Sequence, residues 1–303
     1  MKIFIIILNY NGKKNTLECL GSLEKLEVGK IDLKTIVVDN ASNDGSIKAI
    51  KKKFFQIKVI ESKENLGFGA GNNAGIRYAL KFKPDFLLLL NNDTLVDKNL
   101  LVDLIKGVKE RDKIALVSPK IYFAKGFEFH KERYKEKERG KVIWYAGGRI
   151  DWKNILASHR GIDEVDIGRY NSFSKTDFST GCCMLIRASC LEKIGLLNEK
   201  YFMYWEDIDF SLRAKKAGFE VFYDPNPFLW HKNASASGGA GNKTSVYYQT
   251  RNRLFFAFKY ASLKAKLSVL KEGLKYLFKV KGNKYQQKAV KDFLALKFSK
   301  ANL

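Results

Sequence analysis

Three stretches of this sequence carry side chains suited to holding a cation or moving a proton. The first is Leu87-Leu88-Leu89-Leu90-Asn91-Asn92-Asp93. An apolar strand that ends on a carboxylate sets a hard oxygen ligand at the edge of a sheet, as a Mg2+ or Mn2+ bridging a diphosphate requires. One Asp seldom holds a divalent ion, so a second protein ligand is expected. His231, in Phe228-Leu229-Trp230-His231-Lys232, is the candidate: of the three histidines it alone follows a strand-like apolar segment and precedes a glycine-rich stretch. Taken alone it also reads as a packed histidine. His130 and His159 lie in a charge-rich middle region and are assigned no role.

The second stretch is Trp205-Glu206-Asp207-Ile208-Asp209, which opens a helix. Carboxylates there are stabilised as anions by the exposed N–H groups and the dipole, so ordinary capping explains them equally well. Asp207 and Asp209, two apart, point roughly 200° from one another around a helix and cannot serve one site together. One is expected on a ligand and the other in the structure. An ionised carboxylate within reach of a hydroxyl is what a general base needs. The third stretch, Asn65-Leu66-Gly67-Phe68-Gly69-Ala70-Gly71, departs from the dinucleotide-binding G-x-G-x-x-G because position 72 is Asn. It also follows a third strand rather than a first, which disfavours a dehydrogenase and leaves a loop that admits a ligand's backbone.

The elements that must carry these residues are legible in the first 120 positions. Strands are expected at Lys2–Leu8, Thr35–Asp39, Lys58–Glu61, Phe86–Leu90 and Ala115–Ser118. Between them, Leu17, Leu20, Leu23 and Leu26, then Ile47, Ile50 and Phe54, then Leu101, Leu104, Ile105 and Val108 recur at helical spacing. Strands alternating with helices make βαβ units and a mostly parallel sheet, whose ligands bind beyond the carboxyl ends of the strands. Asn9-Tyr10-Asn11-Gly12, Asp39–Gly45 and Asn91-Asn92-Asp93 all fall at such ends. Each is also plain turn chemistry, but three at one edge argue for a site. Residues 122–178 lack clear periodicity and predict an irregular, hairpin-bearing segment on the acceptor side of the site. A strand at Cys182–Ile186, a helix near Leu191 and a helix over Glu206–Ala217 closed by Gly218 follow. Ser235–Gly241 reads as a lid loop, and the chain from Val246 onward as helical and amphipathic.

Composition narrows the class. A chain of 303 residues with 46% hydrophobic content can bury a large core. Its four cysteines show no C-x-x-C and no zinc-like spacing, so reduced, buried thiols are expected. The run Ile3–Leu8 is far too short to span a bilayer or serve as a signal, and the chain is expected to begin with its folded domain. The net charge is +23, and residues 251–303 hold 14 Lys/Arg against Glu272 and Asp292. Anionic partners fit this charge: phosphates, a membrane surface or nucleic acid. A nucleic-acid-binding protein is the alternative reading. It requires basic residues around exposed aromatics, whereas the motifs here are rich in Asn and Asp and the basic density is terminal. In the tail, Leu263, Leu267, Leu270, Leu274, Leu277 and Phe278 form one stripe, with Lys264, Lys266, Lys271, Lys275 and Lys279 mostly off it. Such a helix lies on an anionic membrane or packs on a protein surface, and amphipathicity does not choose between them.

In order, these segments resemble the family 2 glycosyltransferases of the GT-A fold, closest to their rhamnosyltransferase-like branch. The resemblance rests on Asn9–Gly12, Val37–Ser42, Glu64–Gly69, Asn91–Asp93, Gly181–Arg187, Phe202–Asp209, His231 and Tyr247–Asn252, spanning residues 3–255. It implies a GT-A-type nucleotide-sugar-binding fold over residues 1–250, with 251–303 as a helical basic extension. It implies that Tyr10 lies against the base, that Asp39 bonds its imide, and that Asn65, Gly67, Asn73 and Asn92 line the nucleotide-sugar side. Asp93 and His231 would hold Mg2+ or Mn2+ on the diphosphate, Trp205 and Glu206 would face the acceptor, and Asp207 would be the base of an inverting transfer. Asn91 stands where the family more often has Asp, which gives His231 more of the metal site. The implied donor is dTDP-rhamnose or a UDP-sugar, the acceptor a glycan or lipid-linked oligosaccharide, and the place the cytoplasm or the inner membrane face, without nucleic acid. A catalytically inactive scaffold is disfavoured by the presence of Asp93, Asp207 and His231.

Overall fold

The central strands owe their place to composition: Ile3, Ile5, Ile6 and Ile7 are fully buried, as are Leu87, Leu88 and Leu89. Such runs are buried on both faces, the pattern of parallel strands covered by helices on either side. A computed structural model describes residues 1–233, 241–278, 282–298 and 300–303. The expected lid positions 235–240, and Lys279, lie outside the described residues.

In chain order the elements are β1 (Lys2–Asn9), α1 (Lys13–Leu23), β2 (Asp32–Asp39), α2 (Ser46–Lys53), β3 (Lys58–Glu61), α3 (Gly67–Leu80), β4 (Phe86–Asn91), β5 (Thr94–Val96), α4 (Leu100–Val108) and β6 (Ile114–Phe123). There follow β7 (Ile143–Tyr145), β8 (Gly148–Asp151), β9 (Leu156–His159), β10 (Ser174–Lys175), β11 (Cys183–Arg187), α5 (Ala188–Ile194), α6 (Glu206–Lys216) and β12 (Glu220–His231). Helices α7 (Lys243–Tyr260), α8 (Leu263–Leu277) and α9 (Lys284–Leu294) close the chain. The main sheet runs β10-β12-β6-β11-β4-β1-β2-β3, with β5 on β12 and β7 on β6. β4, β1, β2 and β3 are parallel, β11 is antiparallel to β4 and β6, and β12 returns parallel to β6.

Helix α3 approaches the sheet through glycines: a Cβ on Gly75 would lie 2.5 Å from Ile6 Cγ2. Gly218, with φ +88, ends α6 as expected. Several strands run past their expected bounds, β6 by the most, and β12 is longer than the apolar segment before His231. β6 reaches Phe123 because β12 pairs with it as far as His231. β12 is one strand across Pro225 and Pro227, since the pairing shifts register between Asp224 and Phe228 and so absorbs the missing N–H groups. Residues 122–178 contain the expected hairpin, β8 on β9, between irregular segments. The four cysteines are free and buried, and burial pushes the Cys19 and Cys190 thiols up to about 12.

The boundary expected at 250/251 falls inside α7, a continuous helix whose Tyr247, Tyr248, Arg251 and Asn252 are all buried. Helix α8 docks mainly by a side other than its leucine stripe, of which Leu270 and Leu277 are half-buried and Leu277 packs partly against the core. Its buried residues are Ala265, Val269, Gly273 and Tyr276, which turn a different side to the body. No helix among the described residues is long and apolar enough to cross a membrane.

Candidate active site

The register of β1 pairs Asn9 with Asp39 of β2 and Leu8 with Asn91 of β4, so the three polar clusters meet at one edge of the sheet. Beyond that edge opens a cavity of about 700 Å³. Buried Asn9 binds the clusters to each other. Its amide donates to Asp39 Oδ2 at 2.7 Å, and its carbonyl accepts from Asn92 Nδ2 at 3.1 Å and Thr16 Oγ1 at 2.7 Å.

Of the expected nucleotide-side residues, Tyr10, Asn65, Gly67, Asn92 and Asp93 line the cavity. Asp39 and Asn73 do not. Asp39 is fully buried, its carboxylate taken by Asn9 and by the Ser42 N–H at 2.8 Å. Asn73 faces the protein, donating to Leu197 O and Glu199 Oε1 and accepting from the Leu197 N–H. Asn40 reaches the lining instead: its side chain donates to Asn65 Oδ1 and Gly67 O and accepts from the Leu66 N–H, holding the glycine loop in place. Gly67 sits at φ +83, where a Cβ would lie 2.3 Å from Phe202 O. Only glycine permits that approach, which brings the loop against the segment leading to Asp207.

His231 ends β12 and pairs with Thr94 of β5, beside Asp93. Its Nε2 lies 3.1 Å from Asp93 Oδ1, and both residues are buried. A hard carboxylate oxygen beside an imidazole nitrogen is a donor set that would suit a Mg2+ or Mn2+, and these two residues would hold it. No cluster of three or more His, Cys, Asp or Glu suited to a metal occurs among the described residues, so an ion there would need donors from the ligand as well. Trp144 stacks edge-on against His231 and His159, with ring centroids at 4.5 and 4.4 Å. His159, brought in by the β8–β9 hairpin, lines the cavity although its local sequence gives no sign of it. Burial pulls its pKa down to about 4, so the imidazole is neutral, with Nδ1 3.0 Å from Trp144 O.

The start of α6 brings Trp205, Glu206 and Asp207 to the same cavity. Asp207 is half-buried and accepts from the Gly181 N–H at 2.9 Å and the Ile208 N–H at 2.8 Å. Burial raises its pKa from the ordinary Asp value, with those N–H groups opposing the rise. Glu206 is buried, and its Oε2 has no hydrogen-bond partner among the described residues. Burial, and after it the neighbouring Asp207 charge, push its pKa well up. Asp209 points the other way, fully buried among Lys259 Nζ at 2.6 Å, Arg213 Nε at 2.8 Å and the Tyr260 hydroxyl at 2.8 Å. The two aspartates thus divide as their spacing required.

The segment before α6 is strained, with Phe202, Tyr204 and Trp205 at φ +63, +67 and +75. Helix α7 holds it. Asn252 Nδ2 donates to the carbonyls of Tyr201, Met203 and Tyr204 at 2.8 to 2.9 Å, while Arg251 Nη2 donates to those of Lys200 and Tyr201. Trp205 Nε1 donates to Gln249 Oε1 at 2.9 Å, fixing the indole at the cavity wall. The sequence marks this part of α7 as a motif but assigns its residues no task.

Comparison with known proteins agrees with this architecture. The model of glycosyl transferase family 2 matches residues 4–195. The low-salt glycan biosynthesis hexosyltransferase Agl10 of Haloferax volcanii is 26% identical over 72% of the chain and 62% of its own length, so the chain spans less than two thirds of that relative. The rhamnosyltransferase WbbL of Escherichia coli K12 is 28% identical over 83% of the chain and 94% of its own length. The mannosyltransferase PcManGT of Pyrobaculum calidifontis, solved with GDP-Man and Mn2+, superposes with a TM-score of 0.55 at 15% identity, covering 99% of this chain and 76% of its own. The shared fold is GT-A.

Proposed function

The chain belongs to glycosyl transferase family 2, and from that premise we propose an inverting transfer from a nucleoside diphosphate sugar to the hydroxyl of a glycan or lipid-linked oligosaccharide. The observation that carries it is the presence, in the lining of one cavity, of the Asp93–His231 pair and the Asp207 carboxyl. A rhamnosyl donor carried on dTDP is favoured by the match to WbbL along nearly its whole length, and a UDP-sugar is the other candidate.

In this reading the nucleoside lies over Tyr10 and the Asn65–Gly67 loop, and the diphosphate reaches Asp93 and His231. A divalent ion on that pair supplies positive charge to the leaving diphosphate. Asp207, ionised and held by two N–H groups, accepts the proton of the acceptor hydroxyl as its oxygen attacks the anomeric carbon. The new C–O bond forms on the face opposite the departing diphosphate, so the anomeric centre inverts. Glu206 offers the acceptor a polar contact, and Trp205 an apolar wall. A lipid-linked acceptor would bring the enzyme to the inner face of a membrane.

The test is a panel of nucleotide-sugars scored by thermal shift and by donor hydrolysis, with and without Mn2+. Stabilisation by one nucleoside diphosphate sugar, larger with Mn2+, together with its hydrolysis, is the expected result. A chain indifferent to every donor and to Mn2+ would contradict the reading.

A further inference from the structure

Helix α8 has apolar residues on two sides, and the body covers only one. The covered side is Ala265, Val269, Gly273 and Tyr276; a Cβ on Gly273 would lie 3.5 Å from Val290 and 3.6 Å from Leu254, so α9 and α7 close tightly on it. Roughly 150° around the helix stand Leu263, Leu267, Leu274 and Phe278. They are 72%, 58%, 36% and 71% exposed. Lys264, Lys271 and Lys275 border this strip on one flank and Lys266 on the other. The sole acid of α8, Glu272, is turned away, 3.0 Å from Arg253 Nη1.

We propose that this outer face of α8 docks the protein on an anionic lipid bilayer, an inference that rests on the lipid-linked acceptor read above. The apolar strip enters the boundary between headgroups and acyl chains, and the flanking lysines remain level with the lipid phosphates. A bilayer accepts such a strip without shape complementarity. A second copy of the chain, facing this strip with its own, would bring two rows of lysines together. The position of the helix gives docking a purpose. Tyr276, on the opposite side of α8, lines the catalytic cavity with Arg253 and Gln286. A docked α8 therefore holds that wall about one helix diameter, roughly 10 Å, from the lipid surface.

The experiment uses the full chain with vesicles of phosphatidylcholine, alone or with about one third phosphatidylglycerol. Two variants are compared, Leu267→Glu/Leu274→Glu and Lys264→Gln/Lys271→Gln/Lys275→Gln, each with an unchanged melting temperature because the substituted side chains are exposed. Co-sedimentation with the anionic vesicles, weakened about tenfold or more by salt and by either variant, is expected. Transfer to a water-soluble acceptor stays unchanged in both variants. That assay reports on the proposed reaction by itself, so failure of docking and failure of transfer are told apart. A wild-type chain that stays in the supernatant, or variants that sediment like it, overturns the proposal. A dimer that Leu267→Glu/Leu274→Glu dissociates overturns it too, assigning the face to a second copy.

Discussion

At the residue scale, two carboxylates of α6 are given opposite surroundings by their partners. Asp209 meets two cations and cannot leave them, while Asp207 meets only N–H groups and keeps a face on the cavity. Asp207→Asn should therefore lower transfer by roughly 10²- to 10⁴-fold with nucleotide affinity retained. Kinetics beside titration calorimetry check this, and a nearly active Asp207→Asn would dismiss it as the base. The pH profile has a determined sign. A base works ionised, and burial raises the pKa of Asp207, so kcat/KM should fall with decreasing pH at a higher pH than the value of about 3.9 of an ordinary Asp would give. Asp93→Ala and His231→Ala should each weaken Mn2+-dependent binding of the nucleoside diphosphate more than that of the bare nucleoside; equal losses would mean the pair supports the fold. The sequence made Asp93, Asp207 and His231 visible because each stands at the edge of a strongly patterned element. It did not reveal that Asp39 and Asn73 are satisfied within the protein, since burial of a polar side chain depends on partners remote in sequence, Leu197 and Glu199 for Asn73.

At the scale of elements, α7 decides where α6 begins. Three non-glycine residues at positive φ cost of order 1 to 3 kcal/mol each, and the Asn252 amide and Arg251 guanidinium offset that cost from outside the segment. Asn252→Ala leaves the carbonyls of Tyr201, Met203 and Tyr204 without that donor, which should cost about 1 to 3 kcal/mol of stability. A purely structural loss would lower activity only by the folded fraction. Positioning predicts more: kcat reduced in fully folded protein, the acid limb of the profile displaced because Asp207 shifts, and the nucleotide Kd unchanged. An unaltered acid limb with kcat tracking the folded fraction would reduce Asn252 to a fold residue. The elements of the first half were legible because β1 and β4 are unbroken apolar runs. β12 was not, because Pro225 and Pro227 interrupt the pattern that its pairing with β6 repairs. The place of the β8–β9 hairpin at the cavity depends on contacts between distant segments, such as the Arg253 side chain on Ile155 O and Asn154 O, that no local pattern records.

At the scale of the whole molecule, the basic tail reads in sequence as an appendage, and its packing makes it part of the core. The stripe of leucines concealed this, because the residues that dock α8 are small or aromatic and break the pattern: Ala265, Val269, Gly273 and Tyr276. Polar contacts seal the same interface. Tyr247 donates to Asp292 Oδ2 at 2.7 Å, the Tyr248 hydroxyl accepts from the Ala301 N–H at 2.9 Å, and the Tyr248 ring stacks on Phe202 at 5.0 Å, next to the strained segment before Asp207. A chain ending at Ala261 loses Val269, Tyr276, Val290 and Phe293, all buried, and uncovers Leu254 and Ala257 beneath them. At about 1.5 to 3 kcal/mol per buried side chain the four represent roughly 6 to 12 kcal/mol as an upper bound. That is comparable with the 5 to 15 kcal/mol that ordinarily separates a folded domain from its unfolded chain. The full chain should therefore melt in one cooperative transition. The truncated chain should melt far lower or aggregate, with protease cleavage within α7 and loss of nucleotide binding. Calorimetry and limited proteolysis of the two chains decide it: a truncated chain with the same melting temperature and nucleotide affinity would make α8 and α9 an independent module, and Tyr276 and Gln286 dispensable to the cavity they line.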